Sequence, residues 1–147
     1  MDIEHIKINL EKRYKKNGLI YSLGNPLSEK ELNLAEERLN LILPNQLKIF
    51  YKCYNGLKVD KPGLQIFPIN DLELNNDKII NFALMDNKHM IAFDTSHLND
   101  ANQWNIINPK NNYLITLTFA SFWSNKIWAW IDKHRAIWQA YDASDTG

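Results

Sequence analysis

Two carboxylates one residue apart, Asp71 and Glu73, have the spacing that general acid–base chemistry would use. Such a pair works only where its surroundings keep one carboxyl protonated and the other charged. No nucleophile elbow, Walker loop or HExxH helix accompanies them, and the five glycines are too scattered to build a loop that cradles phosphate. Asp94-x-x-His97, together with His89, offers oxygen and nitrogen donors, but no cysteine lies near them and no metal site is expected. Cys53 stands between Phe50 and Tyr54 in an apolar stretch and reads as a structural thiol rather than a nucleophile. No cofactor and no catalytic residue are expected, so the chain reads as a binder and not an enzyme.

A stronger signal is charge. Between Ile66 and Asn108 the acids are Asp71, Glu73, Asp77, Asp86, Asp94 and Asp100, against the two bases Lys78 and Lys88, a local charge of −4. Such a stretch can steer a basic protein partner. It can equally be turn chemistry, because Asp and Asn suit loops. The five tryptophans divide in the same way. Most belong in a core, while Trp104, beside the acidic loops, and Trp128 are the candidates for exposed partner anchors. The candidate partner-binding set is therefore Asp71, Glu73, Asp77, Asp86, Asp94, Asp100 and Trp104.

The elements that must position these residues can be read from periodicity. Ile3, Ile6, Leu10 and Tyr14 predict a helix over 2–17, stopped by Gly18. Ser28 and Glu31 form a capping box that opens a second helix with Leu32, Ala35 and Leu39 on one side. Pro44 suits the first position of a third helix, which carries Leu47, Phe50, Tyr51 and Tyr54 and is stopped by Asn55-Gly56. Short strands are expected over 64–67, 90–93, 103–108 and 113–117, the last two joined by the turn Pro109-Lys110-Asn111-Asn112. A short helix is expected over 78–84. Apolar residues over 120–132 favour a closing helix, although alternation through Trp128-Ala129-Trp130 also fits a strand. Residues 142–147 are expected to fray. Helices first, then strands, then a helix argue for an α+β domain with a largely antiparallel sheet spanning 1–147.

The whole-chain charge is balanced, 17 basic against 17 acidic residues, which argues against direct nucleic-acid binding. A single cysteine forbids an intramolecular disulfide and suits a reducing cytosol. The start lacks the basic and apolar regions of a secretory signal, and no apolar run reaches membrane-spanning length, so a cytoplasmic protein is expected.

Five segments occur in an order that resembles the SUKH superfamily, the Smi/Knr-type fold. They are the capped acidic helix from Leu27 to Leu39; Leu43-Pro44 followed by Phe50-Tyr51 and Asn55-Gly56; the run Leu64 to Leu72; Ile91-Ala92-Phe93-Asp94; and Phe119-Ala120-Ser121-Phe122. The match runs over about 27–131. It departs from the pattern after Phe93, where the family's Gly-Asp turn is replaced by the glycine-free stretch Asp94 to Asp100. The resemblance implies a bacterial immunity protein that neutralises a cognate toxin, often a nuclease, by direct binding; a monomer or weak homodimer is expected. The alternative is a regulatory adaptor that binds an endogenous protein.

Overall fold

The computed structural model describes residues 3–140, apart from the side chain of Glu4; the expected fraying of 142–147 lies outside the described residues. After a 3-10 turn at Ile3–His5, α1 (Ile6–Asn17) buries Ile6 and Leu10. Gly18, with φ 73, ends it: its N–H donates to the Tyr14 carbonyl and that of Leu19 to the Arg13 carbonyl. α2 (Glu29–Leu39) opens on the complete Ser28–Glu31 capping box and buries Leu32, Ala35 and Leu39.

α3 (Asn45–Cys53) buries Leu47, Phe50 and Tyr51. Pro44 is its cap rather than its first residue, and the helix stops before Asn55-Gly56. The reason is tertiary. The Asn55 side chain accepts the N–H of Ile69 at 2.8 Å. Gly56, at φ 95, passes so close to the next segment that a Cβ would meet the Ile66 carbonyl at 2.8 Å.

The sheet has seven antiparallel strands in chain order: β1 (Tyr21–Leu23), β2 (Leu57–Val59), β3 (Leu64–Ile66), β4 (Ile79–Met85), β5 (His89–Asp94), β6 (Asn105–Asn108) and β7 (Tyr113–Thr116). The helix expected over 78–84 is corrected: that segment is β4, paired with β3 and β5. A bulge between Asn81 and Ala83 interrupts its period-two pattern and leaves adjacent apolar residues that mimic a helical face. β1 and β2 were not anticipated; each is three residues long and shows little pattern.

The closing segment is helical, so the strand alternative falls. It runs through α4 (Phe119–Ser121), a π-helical stretch (Phe122–Ile127) and α5 (Trp128–Lys133). Its apolar side packs on the same face of the sheet as α1 to α3. Phe82 stacks on Phe93 at 3.9 Å, and Phe119 meets Phe50 edge-on at 5.2 Å.

This meander gives the molecule two ends. The tight turns 60–63, 86–88 and 109–112 share one end, here the turn end, with the C-termini of α1 and α5. Trp130 Nε1 ties α5 there by donating to the Gly63 carbonyl at 3.0 Å, and the Ile20 carbonyl accepts from Asp60 N–H. The long connections 67–78 and 95–104 lie at the opposite, loop end.

Candidate acidic docking site

The loop end is held by side chains that satisfy backbone groups. Arg38 reaches from α2 to donate to the carbonyls of Leu72 and Ile69, at 2.8 and 2.9 Å. This clamps the segment that carries Asp71 and Glu73. Tyr51 donates to the Phe67 carbonyl at 2.7 Å. Burial, and then the charge of Asp71, push the Tyr51 phenol well above its usual range, so it stays a neutral donor. Asn75 Oδ1 accepts the N–H groups of Asp77 and Ile79, and Leu74 bridges to Ile80.

Across from this turn, Thr95 sends both its N–H and its hydroxyl to the Lys78 carbonyl. Asp94 Oδ1 accepts from the N–H and, at 2.6 Å, the hydroxyl of Ser96, whose oxygen also lies 3.2 Å from His97 Nδ1. The glycine-free loop is knitted by Asn99. Its Oδ1 accepts from Ala101 N–H, and its Nδ2 donates to Asn105 Oδ1 and to the Leu117 carbonyl, both at 2.8 Å. Asn102, at φ 58, supplies the left-handed residue that a glycine would otherwise provide.

Asp71, Glu73, Asp77 and Asp100 are exposed and Asp94 is half-buried. By topology the five share the loop end, an acidic ridge spread across the lanes of β3 to β6, about 15 Å wide at the usual strand spacing. Asp86 does not join them. It sits at the turn between β4 and β5, where Asp86 and Asn87 both have positive φ and Lys88 N–H closes on the Met85 carbonyl. The length of β4 sets it about 20 Å from Asp77.

Trp104 is corrected. It is only 5% exposed, and its ring packs 5.7 Å from that of Phe93. The next loop residue, Gln103, is anchored to Asn45 Oδ1 at 2.8 Å, which turns the segment inward. Trp128 is half-buried, with the Arg13 guanidinium 4.0 Å above it, while Trp123, Trp130 and Trp138 are buried. The exposed apolar groups at the loop end are leucines instead: Leu98 at 54%, Leu117 at 50% and Leu74 at 37% exposure. Sequence reasoning passed over them. The available signal was that Leu98 is the lone large apolar residue in a polar loop.

His89 and His97 lie at opposite ends of β5, so the metal constellation considered from sequence does not assemble. No group of three or more His, Cys, Asp or Glu that could hold a metal occurs among the described residues. His89 stacks on Trp138 at 4.0 Å, and burial, with Lys88 and Lys110 nearby, holds its pKa below the ordinary value. Grooves of 600, 880 and 390 Å³ lie elsewhere, and none of the seven candidate residues lines them. The first two are at the turn end and are lined by Lys12, Lys16, Lys61, Lys133 and Arg135.

A surface of carboxylates and leucines on stiff loops, away from the grooves, suits a protein surface better than a small substrate. A family model described as SMI1 / KNR4 family (SUKH-1) matches residues 26–134. The chain belongs to this SUKH-1 family. The matched stretch contains the whole acidic ridge, whereas α1, β1 and Trp138 fall outside it. A search of curated proteins found no match. Among the described residues, no helix of this SUKH-1 chain is long and apolar enough to cross a membrane.

Proposed function

We propose that this SUKH-1 chain is an immunity protein that neutralises a cognate toxin, of nuclease type, by binding it through the loop end. The observation that carries the reading is the ridge of Asp71, Glu73, Asp77, Asp94 and Asp100, interleaved with Leu74, Leu98 and Leu117 and holding Lys78 as its one lysine. A nuclease must present cations to hold phosphates. Carboxylates facing that surface speed encounter and select the partner, while exposed leucines supply an apolar centre. The chain acts by occlusion, without catalysis, in a complex burying on the order of 1,600 Å². Asp86 and Trp104 are left out of the contact set, the first by distance and the second by burial.

Co-expression tests this directly. The chain should rescue cells that express the toxin encoded beside its gene. Replacing Asp71, Glu73, Asp77 and Asp100 by lysine together should abolish rescue while the variant keeps its far-UV spectrum. Failure to protect against any neighbouring toxin would favour the adaptor reading instead.

A further inference from the structure

The far edge of the sheet carries a separate message. β7 is last in the strand order, so among the described residues no strand lies on one side of its backbone. Natural edges are usually guarded by charges, proline or bulges. Here residues 111–125 contain no charged residue and no proline, and among the described residues the guard is the bulge against β6. Leu114 on this strand is 45% exposed, and Leu117 follows at its end.

Charge runs along the same strand. Its beginning, at Tyr113, shares a groove with Lys126, Lys133 and Arg135 and follows the turn that holds Lys110. Its end lies beside the loop that carries Asp100, because Asn99 Nδ2 holds the Leu117 carbonyl. Two such strands laid antiparallel about a twofold axis set the basic start of each against the acidic end of the other. The opposite edge is a poorer candidate: β1 is three residues long, and α1 is tied along it by the Tyr21 hydroxyl donating to Glu11 at 2.6 Å.

We propose that β7 pairs antiparallel with β7 of a second copy, extending the sheet across a twofold dimer. The shared strand is short, so the association is weak and reversible. This inference does not depend on the immunity reading, because its test uses the purified chain alone.

Analytical ultracentrifugation of the full chain up to about 1 mM should show a monomer–dimer equilibrium. Raising salt from about 50 to about 500 mM should weaken it several-fold, because screening shortens the reach of the charges. Leu114→Lys should weaken the dimer at least about tenfold. Asp100→Lys and Lys110→Glu should each weaken it about tenfold, and the double variant should recover most of the loss. These two positions lie on exposed turns, so the charge swap remains decisive if Leu114→Lys is poorly folded. A monomer throughout the concentration range overturns the proposal, which is the outcome if this edge instead receives another protein. So does a dimer indifferent to Leu114→Lys, or a charge swap that fails to restore association.

Discussion

At the turn end a carboxylate, Asp132, is spent on the fold; at the loop end most carboxylates are not. Arg13 on α1 makes two 2.7 Å bonds to the carboxylate of Asp132 on α5 and lies over the face of Trp128, joining the first helix to the last. Lys15, Lys16 and Lys133 occupy last turns of helices, where they complement the backbone dipole. The described ion pairs, Arg13–Asp132, Lys48–Glu36 and Lys52–Glu29, include none of the five loop-end carboxylates. Only Asp94 is drawn into local structure, through Ser96. The loop end thus keeps a carboxylate field that no described ion pair matches. That field is the resource a partner can use.

The comparison can be broken most severely at Trp104. If it belongs to the fold rather than to the contact surface, Trp104→Ala should cost about 3–5 kcal/mol in urea unfolding. A loss below about 1 kcal/mol would return Trp104 to the surface set. Next is the turn-end clasp. Arg13→Ala removes an ion pair and a cation–π contact and should cost about 1–2 kcal/mol, less so in high salt.

A shallower effect should appear on acidification. Burial, and then the charge of Lys88, lower the folded pKa of His89 below the ordinary value of about 6.5. Just below that pH the unfolded chain binds more protons, and stability should fall as pH drops through the window, levelling off once the folded pKa is passed. His89→Phe should flatten this part of the profile. Asp132 is held low by its bond to Arg13, so its contribution is present above about pH 4 and is lost as pH falls through its folded pKa. Thermal melts across pH 3–8, expected to span about that range, would separate the two.

The smallest stability effect belongs to the loop end. Asp71→Asn, Glu73→Gln and Asp100→Asn should each shift stability by no more than about 0.5 kcal/mol. Combined, they should slow association with the toxin we propose as partner by about tenfold at low salt and have little effect at high salt, as measured by stopped flow. A large stability loss here would mean that these carboxylates also serve the fold.

Much of this architecture was readable beforehand, and the misses have physical causes. The Ser28–Glu31 box was legible because both halves of a capping interaction lie within four residues. Gly18 was legible for the same local reason. β4 was not, because a bulge disrupts the only signal a strand carries. Trp104 was misplaced because residue type cannot say which way a loop turns; Gln103 bonding to Asn45, 58 residues away, decides that. The acids were found by counting, but their grouping was not. Asp86 parts from the others because β4 and β5 form a hairpin, and Leu74, Leu98 and Leu117 share the loop end only once the meander is built.

Strand order identical to chain order also bears on how the molecule assembles. Each of β3 to β7 can zip onto its predecessor across a modest loop, so most of the sheet forms from neighbours in sequence. β1 is the exception. Leu23 pairs with Leu57 only after α2 and α3 have been folded between them. Closing that long loop carries the largest entropic cost of any strand pairing here. The first hairpins should therefore show early protection in pulse-labelled hydrogen exchange, with Tyr21–Leu23 acquiring it last, as the latch that seals α1 onto an already formed sheet.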